Sequence, residues 1–168
     1  MVEPGFGSGL NIPVYPSGVS RVCAVDPARL GQKLAAKRLA ASPVDVQFIA
    51  LDGQTIPLDD NSCDAGLLTF TLCTSPDSAT ALGELRRVIK PGGSPHFLEH
   101  GHAPEAKVQK WQESMEPVQK KLAGGCHLTR DIPSLIAAAG FDIEWVDTGY
   151  AQGLKPMSWF FVGRATNS

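Results

Sequence analysis

Three glycines near the start of the chain are spaced to form a ligand-binding turn. Gly5, Gly7 and Gly9 follow an acid, Glu3, in an E-x-G-x-G-x-G pattern. Between a strand and a helix, glycine lets the backbone take positive φ and approach a ligand without a Cβ in the way. The dinucleotide fingerprint G-x-G-x-x-G would place its third glycine at Leu10. The pattern predicts a binding turn, with a purely structural tight turn as the alternative.

Two further acids follow predicted strands. Asp26 ends the strand after the glycine turn, and Asp52 ends the next one. Because parallel strands end at the same edge of a sheet, Glu3, Asp26 and Asp52 are expected along the carboxyl edge, where open α/β sheets bind ligands. The position of Asp26 suits a carboxylate that binds ribose hydroxyls. Each acid alone would also suit a solvated turn or a helix cap.

Polar residues in the second half of the chain are candidates for contact with a second reactant. Glu99 and His100 lie at the predicted end of the fifth strand, and His127 lies in a polar turn before a helix. A histidine there would take the proton of a thiol or hydroxyl. The alternative for residues 126–130 is that they cap and orient the following helix.

The spacing of cysteines and histidines does not predict a metal site. The four cysteines match neither a paired C-x-x-C zinc site nor a compact disulfide framework, so we expect reduced thiols. His96, His100 and His102 share one strand parity. Histidines at a strand end are often only solvated, and we expect no metal there.

The elements that position these residues follow from hydrophobic periodicity. Short β-branched runs alternate with helical patterns, which predicts an α/β fold with a mainly parallel sheet. The predicted strands are 19–25, 46–51, 65–72, 95–99, 141–146 and 158–163, and the predicted helices are 28–41, 77–90, 108–122 and one from 129 or 131 to 140. With little helical sequence between the last two strands, that pair is predicted to be antiparallel.

Two of these helices carry apolar residues that are predicted to face the core. In the first helix these are Leu30, Leu34 and the alanine-rich flank. In the helix 108–122 the predicted core stripe consists of Val108, Trp111, Met115, Val118 and Leu122.

In their order and spacing, several segments resemble the motifs of class I S-adenosylmethionine-dependent methyltransferases. They are residues 3–9, 25–27, 51–53, 70–73 and 85–93. Glu99-His100, Trp111-Gln112 and residues 125–130 resemble a subgroup that includes animal membrane-associated alkyl-thiol methyltransferases and bacterial relatives labelled as lipid or quinone methylating enzymes. The resemblance implies one domain over residues 1–168 with a Rossmann-like, doubly wound α/β fold, whose mainly parallel sheet has an antiparallel last strand.

The resemblance also implies roles for individual residues. Gly5, Gly7 and Gly9 would pass under the methionine part of S-adenosylmethionine, with Glu3 near its amino group. Asp26, followed by Pro27, would hold the ribose hydroxyls, and Asp52 with Gly53 would meet the adenine. Thr71, Leu72 and Cys73 would face the methyl-bearing sulfonium. On the substrate side, Cys73 joins Glu99, His100 and His127, and the implied acceptor is small and largely apolar: a thiol, a hydroxyl or a lipid-like or quinone-like compound.

The start of the chain limits the first strand. Only three residues precede Pro4, so the first strand is predicted to be shortened, and the helices that family members carry before it are missing. Either this start is internal to a longer gene product, or the chain is a shortened member with weak or no activity. The alternative function is therefore a non-catalytic remnant that binds S-adenosylmethionine. A nicotinamide-dependent oxidoreductase is disfavoured by Leu10.

Charge and hydropathy exclude other partners. Fifteen Lys and Arg against 17 Asp and Glu give a net charge of −2, which predicts no broad basic face and argues against nucleic acid. The apolar runs are well below the ~20 residues of a membrane span. We expect a cytoplasmic protein acting on a small molecule, without an integral membrane segment. Peripheral membrane contact and the oligomeric state stay open.

Overall fold

A central sheet organises the protein. The computed structural model describes residues 1–50 and 54–168. In chain order its strands are β1 (Val2–Pro4), β2 (Arg21–Val25), β3 (Asp45–Ala50), β4 (Cys63–Thr69), β5 (Ile89–His100), β6 (Phe141–Tyr150) and β7 (Trp159–Asn167). Within the described residues they form one seven-stranded sheet in the order β3-β2-β1-β4-β5-β7-β6. Strands β1 to β5 pair in parallel, and β7 runs antiparallel to both β5 and β6. The predicted doubly wound sheet, with its antiparallel last strand and shortened first strand, is confirmed.

Four α-helices connect these strands in the described part of the chain. They are α1 (Arg29–Ala41), α2 (Ser78–Val88), α3 (Ala106–Leu122) and α4 (Ile132–Ala138), and short 3-10 turns cover Ile12–Val14 and Lys155–Met157. The Asp77 side chain accepts a hydrogen bond from the Thr80 amide at the start of α2, and Asp131 accepts one from Ser134 at the start of α4. These two caps satisfy amides that have no partner within the helix. No helix among the described residues has the length and apolar character to cross a bilayer.

The strand order reverses direction between β1 and β4. From β1 the chain proceeds outward through β2 and β3 on one side, whereas β4 and β5 lie on the other. Such a reversal leaves a crevice at the carboxyl ends of the strands. Although β1 has only three residues, it pairs with both neighbours: Val2 lies opposite Cys23 on β2 and Gly66 on β4. The short strand therefore places the glycine turn, residues 5–9, at the centre of the carboxyl edge.

Strand β5 begins earlier than the sequence predicts. Helix α2 ends at Val88, and β5 starts at once because Ile89 pairs with Cys63 of β4. The register then shifts, and Ala65 lies opposite Ser94. Gly92 takes a positive φ of 78° in the intervening segment. Residues 91–93, which separate the predicted helix from the predicted strand, thus form an irregularity at the start of β5, and regular pairing with β4 follows from Ser94 onward.

The prediction that Leu30, Leu34 and the alanine-rich flank of α1 face the core is wrong for the two leucines and right for Ala35 of the flank. The exposed fractions of Leu30 and Leu34 are 67% and 59%. Helix α1 instead contacts the rest of the protein through Ala35, which is fully buried beside Phe6, Ile12 and Ala24. Small residues on the inner face bring the helix axis close to the glycine turn, and this close approach leaves the two leucines on the outer side.

The predicted core stripe of α3 is also wrong for three of its members. Trp111, Val118 and Leu122 are exposed. The buried face of α3 is centred on Gln112, whose side-chain amide accepts from the Ala103 amide and donates to the Gly101 carbonyl, each at 2.9 Å. Apolar periodicity shows which residues share a helix face. In α3, however, the buried face is the one whose Gln112 side chain satisfies the backbone hydrogen-bonding groups of the neighbouring loop.

Candidate cofactor site

The glycine turn has the backbone that its sequence predicts. Gly5, Gly7 and Gly9 have φ values of 74°, 56° and 70°. The Gly5 amide donates to the Val25 carbonyl at 2.8 Å, which fixes the turn to the end of β2. A Cβ at Gly5 would overlap the Thr71 side chain. The turn therefore needs glycine both for its φ and for its contact with the loop after β4.

Asp26 connects the glycine turn to α1. One carboxylate oxygen accepts from the Gly7 amide and the other from the Ala28 amide, both at 2.6 Å. The residue is buried at the carboxyl end of β2. Its carboxylate thus holds the glycine turn and the start of α1 in a fixed relation to each other.

Gly31 is a site residue that sequence reasoning missed. A Cβ at this position would lie 2.7 Å from the Gly7 carbonyl oxygen and 2.9 Å from its carbon. The first turn of α1 therefore rests directly on the glycine turn, and only glycine permits that distance. Its signal in the sequence was present but weak, because a lone glycine within a helical pattern has many explanations.

Glu3 lies beneath the glycine turn and is completely buried. Its carboxylate accepts hydrogen bonds from the Tyr15 hydroxyl and, at 2.9 Å, from the Asn11 side chain. Burial raises the pKa of Glu3, and these two hydrogen bonds oppose that shift. Burial and the adjacent Glu3 charge also raise the pKa of Tyr15. Neither partner was predicted, because both lie in an irregular loop without periodicity.

A cleft of 630 Å³ opens at the sheet reversal, above the ends of β1, β2 and β4. Among the predicted cofactor residues, Gly5, Asp26, Pro27 and Thr71 line it. The rest of its described lining consists of Pro4, Val25, Ala28, Gln54, Leu68, Phe70, Thr74, Ser75, Pro76, Ala81 and Gly124. Asp52 and Gly53, the predicted adenine contacts, lie outside the described residues.

Glu99 holds the loop that follows β4. Its fully buried carboxylate accepts from the amides of Thr71, Leu72 and Cys73 at 2.7, 2.9 and 3.2 Å. Burial raises the pKa of Glu99 to about 7, although the three amide bonds favour the ionised form. The loop amides are therefore organised from β5, and Thr71 adds a bond from its hydroxyl to the Pro4 carbonyl at 2.9 Å.

Leu72 and Cys73 belong to this loop but turn their side chains inward. Both side chains are buried, Leu72 within the main hydrophobic cluster. The Leu72 carbonyl accepts a hydrogen bond from the Arg130 guanidinium, and the Cys73 carbonyl accepts from the His127 amide at 2.7 Å. The loop after β4 and the segment before α4 are thereby joined.

His127 is oriented by an acid that the sequence did not single out. Its Nδ1 lies 3.2 Å from Glu116 Oε1, and Glu116 also accepts from the Thr129 amide at 3.0 Å. Burial lowers the pKa of His127, and the nearby charges of Arg130 and Lys120 lower it further. Because Asp131 caps α4, the segment before it serves mainly to join α3 to the sheet edge.

His100 ends β5 among aromatic rings and thiols. Its ring stacks on Phe160 of β7 with 6.0 Å between centroids, and Phe70 meets it edge-on at 6.1 Å. Cys126 Sγ lies 3.3 Å from His100 Nε2. Hydrogen bonds from Cys73 and His100 lower the pKa of Cys126 to about 5, whereas the bond to Cys126 raises the pKa of Cys73. His96, His100 and His102 share one strand parity, but they do not form a cluster. Among the described residues, His100 is the one of the three that belongs to a group able to hold a metal ion.

Known proteins match both the sequence and the fold. Residues 2–97 match the family model described as a methyltransferase domain. Thiol S-methyltransferase TMT1B of Rattus norvegicus is 34% identical over 97% of this chain and 66% of its own length, and TMT1A of Homo sapiens is 32% identical over 84% and 59%. The chain thus spans 59% to 66% of the length of these relatives.

A solved structure agrees with these sequence matches. An S-adenosylmethionine-dependent methyltransferase of Methanosarcina mazei superimposes with a TM-score of 0.77 at 18% identity, over 98% of this chain and 90% of that one. The predicted resemblance is confirmed. The chain belongs to the methyltransferase-domain family, within the class I S-adenosylmethionine-dependent methyltransferases.

Proposed function

We propose that the chain binds S-adenosylmethionine in the cleft and transfers its methyl group to a small, largely apolar acceptor, with alkyl thiols as the first candidates. The observation that carries this proposal is the joining of the glycine turn to Asp26 at the sheet reversal. The thiol S-methyltransferase relatives support the acceptor class.

The donors and acceptors at the cleft fit this cofactor. Each Asp26 oxygen accepts one amide hydrogen bond, and a carboxylate has about four acceptor positions, so two remain for ribose hydroxyls. Gly5 and Pro27 offer surfaces without long side chains on either side of Asp26. We assign Gly7 and Gly9 to shaping the turn, because their amides bond to Asp26 and to Phe6. Asp52 and Gly53 remain the predicted adenine contacts.

Two buried glutamates act as positioning residues in this proposal. Glu3 holds Asn11 and Tyr15 below the glycine turn. We therefore assign it an indirect role in place of the predicted direct contact with the cofactor amino group. Glu99 fixes the amides around Thr71, so its predicted contact with the acceptor also becomes an indirect one. Leu72 contributes through its main chain.

S-adenosylmethionine supplies a methyl group on a positively charged sulfur. In-line transfer requires an acceptor atom about 3 Å from that methyl and the exclusion of water. Phe70 at the cleft and Phe160 behind it lie 5.7 Å apart, edge to face, and give this side an apolar wall. His127, held by Glu116, is the candidate to receive the proton of a thiol acceptor.

Three broader expectations belong to the same proposal. We infer that residues 1–168 form one methyltransferase domain, that it acts in the cytoplasm and that it does not bind nucleic acid. The net charge of −2 supports the last of these.

Calorimetric titration tests the binding step. We expect S-adenosylmethionine and S-adenosylhomocysteine to bind the wild-type chain and Asp26→Asn to bind at least tenfold more weakly, because the amide side chain has one acceptor oxygen in place of two. Asp142→Asn is the control, since Asp142 lies exposed on β6. Equal affinity in Asp26→Asn, or binding of NAD in place of S-adenosylmethionine, contradicts the assignment.

Methyl transfer from isotopically labelled cofactor tests the reaction. A panel of alkyl thiols, phenols and amines identifies the acceptor atom, and we expect product with the thiols. His127→Asn should retain cofactor affinity and lose at least tenfold in rate with thiols. Cofactor binding without transfer to any acceptor would favour the alternative function, a non-catalytic remnant.

A further inference from the structure

Two cysteines and a histidine from three different segments meet at the ends of β4 and β5. Cys73 follows β4, His100 ends β5 and Cys126 precedes α4. One ligand atom from each residue lies within 4.8 Å of the other two, and this is the group of metal-capable side chains found among the described residues. None of the three residues lines the cleft.

The distances suit a tetrahedral ion. With metal–sulfur bonds of about 2.3 Å and metal–nitrogen bonds of about 2.0–2.1 Å, ligand atoms around zinc lie roughly 3.5–3.8 Å apart. Cys126 Sγ and His100 Nε2 are 3.3 Å apart, and the three ligand atoms all lie within 4.8 Å of one another. Shifts of less than about 1 Å would bring the three atoms to these separations. The described cysteines are all free thiols.

The scaffold holds each ligand in place without a metal. The Cys73 amide donates to Glu99 and its carbonyl accepts from His127, so its backbone is fixed on both sides. The His100 ring is clamped between Phe160 and Phe70. The Cys126 amide donates to the Ala123 carbonyl at 3.1 Å. A site whose ligands are already ordered has less conformational entropy to lose on binding.

Burial and ligand chemistry select the kind of ion. Cys73, Cys126 and His100 are all buried, and the carboxylate of Glu99 lies beside them. A bound cation would compensate the negative charge of the Glu99 carboxylate, which is poorly solvated in these buried surroundings. Two sulfur ligands and one imidazole favour soft or borderline ions such as Zn²⁺ over Mg²⁺ or Ca²⁺, which prefer oxygen.

We propose that Cys73, His100 and Cys126 form a binding site for one Zn²⁺ ion or a cation of similar softness. Three protein ligands leave the fourth tetrahedral position to a ligand from outside the chain, an arrangement that zinc proteins use where the ion meets water or a substrate. The sequence predicted no metal site, and this proposal differs from that prediction. It stands independently of the proposed function, since its ligands lie outside the cleft.

Cobalt titration tests the site directly. The full chain is reduced, stripped of metal with a chelator and titrated anaerobically with Co²⁺. We expect a thiolate-to-cobalt absorption band that saturates at one ion per chain and disappears when Zn²⁺ displaces the cobalt. Cys73→Ser and Cys126→Ser should abolish the band, and His100→Asn should weaken binding at least tenfold.

The other two cysteines provide a matched control. The double variant Cys23→Ser, Cys63→Ser removes the same number of thiols away from the site and should leave the titration unchanged. If the wild-type chain gives no saturable band, the proposal is overturned whatever the variants do. A band that survives in Cys73→Ser, or one that is lost in the control, also overturns it. Calorimetry with S-adenosylmethionine on the same samples reports the proposed function separately.

Discussion

Two glutamates at the carboxyl ends of β1 and β5 hold the loops beside them in place. Glu3 and Glu99 are both completely buried. The Glu3 carboxylate accepts from the side chains of Asn11 and Tyr15, which follow the glycine turn, and the Glu99 carboxylate accepts from the amides of residues 71–73. A buried carboxylate costs several kcal/mol unless such partners compensate it. Charged side chains that would be expected at the surface therefore serve here to hold the segments that follow the glycine turn and β4.

The protonation of Glu3 makes stability depend on pH. Burial raises its pKa above 4.5, so the folded chain holds this proton more tightly than the unfolded chain. The contribution to stability is complete below about pH 4.5 and is lost as the pH rises through the folded-state pKa. Because glutamine does not titrate, Glu3→Gln should unfold with a free energy that falls less than that of wild type between pH 5 and pH 8.

Urea denaturation at both pH values measures this difference. Glu113→Gln is the control, since Glu113 is exposed on α3, and its pH dependence should follow that of wild type. Glu99 titrates in the same range but is present in all three proteins and cancels. Glu84, whose pKa is lowered to about 2 by its hydrogen bonds to Arg87 and the Ile56 amide, titrates below the range. Equal slopes for wild type and Glu3→Gln would refute the prediction.

At the scale of elements, two glycines inside helices have opposite roles. Gly31 of α1 contacts the Gly7 backbone, whereas a Cβ at Gly83 of α2 would meet no atom within 4 Å. Replacing glycine by alanine in an exposed helix adds about 0.5–1 kcal/mol of stability. Gly83→Ala should therefore stabilise the chain by that amount and leave cofactor affinity unchanged.

Gly31→Ala should instead push α1 away from the glycine turn. We expect its affinity for S-adenosylmethionine to fall at least tenfold, because the Gly7–Asp26 connection depends on the same contact. Urea denaturation and calorimetric titration on the two variants give the comparison. If both variants bind the cofactor as wild type does, close packing of α1 on the turn is not required.

Sequence reasoning predicted elements well where local chemistry decides them. The glycine turn was predicted correctly because residue type and backbone geometry are tightly linked where φ is positive. The outward face of α3 was not found, because Gln112 is buried by loop carbonyls that no periodicity reveals. The meeting of Cys73, His100 and Cys126 depends on three distant segments and leaves no local pattern.

For the whole molecule, the cleft exists only in the folded chain. Its walls come from β1, β2, β4 and the segments after them, which are far apart in sequence. A ligand that binds only the folded state at 100 times its Kd stabilises it by about 2.7 kcal/mol. For a domain of this size, S-adenosylhomocysteine at that concentration should raise the Tm by roughly 5–10 °C.

Thermal melts followed by circular dichroism measure this shift. NAD at the same concentration should leave the Tm unchanged, which separates this cleft from a dinucleotide site. Asp26→Asn should shift less than wild type at a fixed ligand concentration. A Tm that does not respond to S-adenosylhomocysteine would contradict cofactor binding by residues 1–168.

The hydrogen bonds from Glu99 to the loop after β4 bear on how this enzyme family diversifies. Because a residue of β5 holds the amides of residues 71–73, a substitution near either end of this connection changes the context of the other. Contacting positions of this kind give non-additive effects. Directed evolution toward new acceptors should thus recover paired changes in β5 and the 71–73 loop rather than single changes in either segment.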